Sequence, residues 1–108
     1  MNENFKILNR ETELLIEEHQ RIETNLKYVN CQIEVYEDKI ERLIIHWKVM
    51  NPDFINRHFL FLNRRIDDLQ KDRKELIFLL GELDHRLKIN EEKIWNIIDE
   101  IKTISVLI

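Results

Sequence analysis

Residues 43–62 read LIIHWKVMNPDFINRHFLFL, and this stretch decides the fold. On either side of Asn51-Pro52-Asp53, apolar residues recur at alternating steps of three and four, but the two series are displaced by one residue. The displacement falls at the chain's only proline, which disfavours helical geometry in the residue before it. The stretch therefore predicts the end of one helix and the start of another. The alternative is a single kinked helix that pairs with another chain.

The three residues at the break have the chemistry of a helix start. Asn51 is a favourable N-cap residue, Pro52 suits the first helical position, and Asp53 suits the positive end of the helix dipole. At 108 residues the chain has the length of one domain. The predicted elements are a first helix over about residues 2–50, a turn at 51–53 and a second helix over about 54–106, in a single domain, 1–108.

The first helix carries a ladder of apolar residues at heptad spacing, with Thr12 and His19 as the only polar members. A 3.5-residue period places all of these residues on one face, which is the seam of a coiled coil. The ladder comprises Met1, Phe5, Leu8, Thr12, Leu15, His19, Ile22, Leu26, Val29, Ile33, Tyr36, Ile40, Leu43, Trp47 and Met50.

The second helix carries a ladder of the same kind, in which only Arg73 and Asn90 are polar. Two such ladders joined by a helix break predict an all-α fold, an antiparallel two-helix coiled-coil hairpin. Each arm would be about 75 Å long at 1.5 Å per residue. The ladder comprises Ile55, Phe59, Leu62, Ile66, Leu69, Arg73, Leu76, Leu80, Leu83, Leu87, Asn90, Ile94, Ile97, Ile101, Ile104 and Ile108.

Two registers of the hairpin satisfy the rules of heptad packing. In one, the numbers of paired residues add up to 102, which sets Thr12 opposite Asn90 but leaves Arg73 facing Val29. In the other, the numbers add up to 109.

The register that adds up to 109 gives each polar residue of the second ladder a partner. It sets His19 opposite Asn90 and Tyr36 opposite Arg73. A buried polar group without a partner costs about 1–3 kcal/mol, so we predict this register. The four residues that would set it in the core are His19, Tyr36, Arg73 and Asn90.

Apolar residues also lie outside the ladders, and residues 76–80 are apolar around the whole helix circumference. Surplus apolar stripes indicate that further helices pack alongside. We predict self-association as a homodimer or higher oligomer, most simply two hairpins in a four-helix bundle. A partner helix from another protein is the alternative. The predicted oligomer face comprises Ile7, Leu14, Tyr28, Val35, Ile77, Phe78 and Leu79.

The charge is unevenly distributed along the chain. Residues 39–66 contain six Lys or Arg against Glu41 and Asp53, a net charge of +4, so with −4 overall the remainder carries −8. Basic residues interleaved with aromatic ones indicate a docking surface for an acidic protein or a nucleic-acid backbone. The alternative is that the aromatic residues plug the bundle end. The predicted docking residues are Arg42, His46, Trp47, Lys48, Phe54, Arg57, His58, Phe61, Arg64 and Arg65.

Several classes of function have no support in the sequence. A single glycine leaves no Gly-rich phosphate loop, and the four histidines lack metal-site spacing, so we predict no enzyme, no cofactor and no metal site. The lone Cys31 favours a reducing compartment, and no apolar run approaches the ~20 residues of a membrane span. With no secretory signal evident, the predicted location is the cytoplasm.

Residues 72–94 read DRKELIFLLGELDHRLKINEEKI, a heptad texture that resembles the FliJ/YscO-type stalk proteins of flagellar and type III secretion machines, and small helical secretion chaperones. The resemblance implies contact with a secretion ATPase or export gate. We therefore predict a non-enzymatic coiled-coil protein for protein–protein interaction, structural or chaperone-like in a multiprotein assembly. The alternatives are a small dimeric nucleic-acid-associated regulator that uses the basic turn end, and a phage or mobile-element inhibitor of a host complex.

Overall fold

The computed structural model of the protein describes residues 2–107, and the side chains of residues 3–106. It consists of helix α1 (Asn2–His46), a short 3₁₀ helix (Trp47–Val49) and helix α2 (Pro52–Leu107). The two long helices pack against each other as a hairpin, and the described residues contain no strand. The predicted all-α hairpin is confirmed, and the alternative of one kinked helix is wrong. The ladder members Met1 and Ile108 lie outside the described residues.

Helix α2 begins at Pro52, as the chemistry of the break predicts. The Asn51 side-chain oxygen Oδ1 accepts a hydrogen bond from the Asp53 backbone N–H at 2.9 Å. The Asn51 carbonyl oxygen accepts a second from the backbone N–H of Ile55 at 3.0 Å. The cap thus satisfies an amide that the first turn of a helix leaves unpaired.

The first helix ends earlier than predicted. Its α-helical geometry stops at His46 instead of Met50, and Met50 is extended, with φ −105° and ψ 157°. Trp47 and Met50, the last two ladder positions, are exposed, so little packing holds the final turn in α geometry. Two of the three residues of the predicted turn, Pro52 and Asp53, already belong to α2.

The chain comprises two compact units, each built from segments of both helices. The turn unit is Thr24–Ile77, and the terminal unit is Met1–Glu23 together with Phe78–Ile108. In the turn unit, Val29, Ile33 and Leu69 form a buried cluster, against which half-buried Tyr36 and Leu76 pack.

Every buried side chain among residues 3–106 belongs to one of the two heptad ladders. Nine are aliphatic and one, Asn90, is polar. The predicted seam is therefore confirmed by burial. The buried residues are Leu8, Ile22, Val29, Ile33, Leu43, Leu62, Ile66, Leu69, Leu83 and Asn90.

The predicted register is wrong, and the structure adopts the other one. Asn90 Nδ2 donates a hydrogen bond to Thr12 Oγ1 at 3.4 Å, a contact between residues whose numbers add up to 102. His19 is not opposite Asn90, because its Nε2 lies 2.8 Å from an Asp84 carboxylate oxygen. Tyr36 is not opposite Arg73 either.

Tyr36 instead lies beneath Arg65, whose guanidinium carbon is 5.8 Å from the ring centroid. Arg73 remains half-buried in the seam. Its long aliphatic stem can pack there while the charged head reaches water, so it needs no polar residue opposite.

The turn explains why this register wins. Residues whose numbers add up to 102 are symmetric about Asn51, the residue that caps α2. A sum of 109 would centre the turn between Phe54 and Ile55, inside the first turn of α2. The adopted register also leaves Thr12 satisfied, because its hydroxyl donates to the Leu8 carbonyl at 2.8 Å while accepting from Asn90.

Candidate interaction surfaces

Six residues of α2 form one stripe on the turn unit, which we call the turn stripe. Their spacing in steps of one, three and four places them on a single side of the helix. All six side chains are exposed, and three of them are arginines. The turn stripe comprises Phe54, Arg57, His58, Phe61, Arg64 and Arg65.

Three rings of the turn stripe stack on one another. The centroids of Phe54 and His58 are 5.4 Å apart with planes 12° apart, and those of His58 and Phe61 are 6.5 Å apart with planes 27° apart. Phe54 and Phe61 nevertheless remain 52% and 55% exposed. A preordered aromatic row in water beside guanidinium groups has the composition of an interaction hot spot.

Tyr36 connects the two helices at the end of the turn stripe that is farther from the turn. The Lys39 ammonium from α1 and the Arg65 guanidinium from α2 lie 5.2 and 5.8 Å from its ring centroid. A side-chain hydrogen bond with Tyr36 also raises the pKa of Arg65 above its ordinary value.

This shared ring identifies the side of the seam on which Lys39 and Arg65 meet. His46 lies seven residues after Lys39, and His58 lies seven residues before Arg65. Both histidines are therefore on the same side of the seam. Arg42 lies three residues after Lys39 and therefore faces that side as well. Heptad position thus places Arg42 and His46 of α1 on the same side of the seam as the turn stripe of α2.

The remaining two predicted docking residues are placed elsewhere. Trp47 lines a separate apolar depression with Leu43, Ile44, Ile55 and Phe59, among others. Lys48 stays with Trp47, its ammonium 5.9 Å from the indole centroid. This depression shares no lining residue with the turn stripe.

A second surface lies on the terminal unit, where an open groove runs along one side of the seam; we call it the side groove. It consists of two stretches that share Glu11. Ladder residues form its floor, and residues outside the ladders form its rims. The first stretch is lined by Glu11, Leu14, Leu15, Arg86, Ile89 and Asn90, and the second by Asn4, Ile7, Leu8, Glu11, Lys93, Asn96 and Ile97.

The two rims of the side groove carry opposite charge. Glu11 stands on the α1 rim, and Arg86 and Lys93 stand on the α2 rim. Within residues 3–106, none of these three side chains forms an ion pair or hydrogen bond with another described residue. On α1 the side chains of Arg10 and Glu13, and of Arg21 and Glu18, do form ion pairs.

The predicted oligomer-face residues are all exposed. Ile7 and Leu14 line the side groove. The consecutive residues 77–79 point about 100° apart, since an α-helix has 3.6 residues per turn. Tyr28 and Val35 belong to the turn unit.

Sequence reasoning missed six residues of the groove: Asn4, Glu11, Arg86, Ile89, Lys93 and Asn96. In the correct register, heptad position alone indicates them, because they flank the same side of the seam as Leu14.

His19 forms a small polar cluster at the seam of the terminal unit. Its Nδ1 lies against Glu23 and its Nε2 lies 2.8 Å from Asp84. The contact therefore links α1 to α2. No group of three His, Cys, Asp or Glu in the described part of the chain has the arrangement of a metal site. Cys31 is an exposed free thiol.

Neither described helix is long and apolar enough to cross a membrane. No protein-family model, curated protein or solved structure matches this chain.

Proposed function

We propose that the protein is a non-catalytic interaction protein, structural or chaperone-like, that binds a helix of a partner protein along its turn stripe. The stacked row of Phe54, His58 and Phe61 carries the proposal, because two of its rings are half exposed although three arginines surround them. A partner helix with an apolar face and flanking carboxylates would cover the rings and pair with the guanidinium groups.

We favour a secretion machine or another multiprotein assembly, because the heptad texture of residues 72–94 resembles that of secretion stalk proteins and chaperones. We place the protein in the cytoplasm, where an exposed lone thiol such as Cys31 stays reduced. No cofactor or metal enters the proposal.

We propose in addition that the chain self-associates, most simply as two hairpins in a four-helix bundle. Exposed Ile7, Leu14 and Ile89 support this, because apolar burial contributes about 25 cal/mol per Å² and a hairpin alone leaves them in water.

Affinity capture with three baits tests the partner proposal. The stripe variant combines Arg57→Glu with Phe61→Ser, and the matched control combines Lys88→Glu with Trp95→Ser. The control changes the same kinds of residue, also exposed and also on α2, but in the terminal unit. Circular dichroism verifies that all three baits keep their helicity.

We expect one protein to be captured by the wild type and by the control but not by the stripe variant. With the purified partner, the stripe variant should bind at least about 30-fold more weakly, the loss of a hot spot of 2 kcal/mol. Identical capture by all three baits would refute the role of the turn stripe.

The second candidate function is nucleic-acid binding, which the guanidinium groups of Arg57, Arg64 and Arg65 favour. Two observations favour a protein partner instead. The rings already stack on one another, which leaves only the outer faces of Phe54 and Phe61 for bases, and Asp53 lies beside Phe54 and Arg57 in the adjacent depression. Fluorescence anisotropy with a labelled DNA duplex at rising salt separates the two. Tight binding that collapses steeply with salt would establish the nucleic-acid function.

A further inference from the structure

We propose that the side groove of the terminal unit is the dimer interface, occupied by a second copy of this chain across a two-fold axis parallel to the helices. The inference rests on the self-association proposed above and specifies its surface and symmetry. Three observations support it: the opposite charges of the rims, the absence of partners for those charges among the described residues, and the apolar residues between the rims.

The charges of the rims are complementary to themselves. Rotation about an axis parallel to the helices sets the α1 rim of one copy against the α2 rim of the other and leaves every residue at its own level. In the observed register, residue 11 is level with residue 91, which lies between Arg86 and Lys93. Glu11 therefore faces Arg86 of the partner subunit and Lys93 of the partner subunit, and the contact occurs twice.

The same rotation also brings the apolar rim residues together. Leu14 is level with residue 88 and therefore meets Ile89 of the partner subunit. Leu14 is 48% exposed and Ile89 37% exposed in the single chain, so both have apolar surface to bury. Each α1 packs against an antiparallel α2 of the other copy, the neighbour relation of an up-and-down four-helix bundle.

The charge pattern disfavours a two-fold axis that crosses the helices at the level of Glu11. Such an axis would stack α1 on α1 of the second copy. It would set Glu11 against Glu11 of the partner subunit, and like charges placed opposite each other in an interface cost binding energy. A groove that binds an unrelated helix would not need one acidic and one basic rim.

Charge reversal with rescue in trans tests the interface. One variant is Glu11→Lys, and the other combines Arg86→Glu with Lys93→Glu. Each variant alone should dimerise at least about tenfold more weakly than the wild type, because both of its contacts bring like charges together. A one-to-one mixture should recover wild-type affinity as a heterodimer, since both contacts then join opposite charges. Native mass spectrometry distinguishes the heterodimer by its mass.

A matched control uses charges at the same level but outside the groove. Lys88→Glu combined with Glu91→Lys should leave the dimer unchanged, because neither residue lines either stretch of the groove. Circular dichroism on every variant verifies that the hairpin is folded.

The possible outcomes separate the two proposals. A monomeric wild type would overturn self-association itself and the groove with it. A dimeric wild type that neither variant weakens would overturn the groove alone. Weakening without rescue in the mixture would also overturn it, because the charges would then act within one chain.

Discussion

Both units bury aliphatic ladder residues, but among residues 3–106 only the terminal unit also buries a polar one. The turn unit has an aliphatic seam, centred on Val29, Ile33 and Leu69, and exposes an aromatic and basic stripe. The terminal unit buries the polar Asn90 against Thr12 and exposes a largely apolar groove.

The difference shows how each unit responds to a change of register. Sliding an aliphatic seam by one heptad exchanges one branched side chain for another at small cost. Sliding the terminal unit would separate Asn90 from Thr12 and set it opposite His19 instead. We infer that the turn at Asn51 selects the register and that the hydrogen bond between Thr12 and Asn90 supports it in the terminal unit.

The largest expected effect comes from breaking the aliphatic seam of the turn unit. Leu62 is 1% exposed, so Leu62→Ala should lower the free energy of unfolding by about 2–5 kcal/mol through lost burial and a cavity. Leu60→Ala, at a neighbouring but exposed position, should change it by less than about 0.5 kcal/mol. Urea denaturation followed by circular dichroism measures both. Equal losses at the two positions would contradict the assigned seam.

The cap at the turn should have the next largest effect. Asn51→Ala removes the acceptor for the Asp53 backbone N–H and should cost about 1 kcal/mol. Asn56→Ala, an exposed asparagine within α2, serves as the control and should be nearly neutral. If the two substitutions have the same effect in urea denaturation, Asn51 does not act as the cap.

A double-mutant cycle measures the coupling within the polar pair of the terminal unit. Thr12→Val and Asn90→Leu should show a coupling of about 0.5–1 kcal/mol, because they share one hydrogen bond. The corresponding cycle of His19→Leu with Asn90→Leu should show almost none. The reverse order of couplings would favour the register that adds up to 109.

The smallest effect belongs to the contact of His19 with Asp84. Because the Asp84 carboxylate is well exposed, the coupling of His19→Gln with Asp84→Asn should be about 0.2–1 kcal/mol and should shrink as salt is added. A coupling that is independent of salt would contradict a screened surface contact.

Heptad spacing predicted the seam because burial on one side of a helix follows directly from a 3.5-residue period. Every buried side chain from 3 to 106 lies on the predicted ladders. The cap was equally predictable, since Asn51 and Pro52 act through local chemistry.

The polar residues alone did not predict the register correctly, because both registers give Asn90 a polar neighbour. The deciding constraint is geometric: a hairpin centred on Asn51 pairs Thr12 with Asn90. The same error hid the side groove, because only the correct register sets Glu11 level with the segment between Arg86 and Lys93.

The register fixes the position of the side groove, so its most direct test is the contact between Thr12 and Asn90. Nuclear Overhauser spectroscopy on the uniformly labelled wild-type protein measures that contact without any substitution. A cross-peak between the Thr12 methyl group and the Asn90 side-chain amide is the expected result. Cross-peaks from the Asn90 amide to the His19 ring, without one to Thr12, would contradict the register and the side groove derived from it.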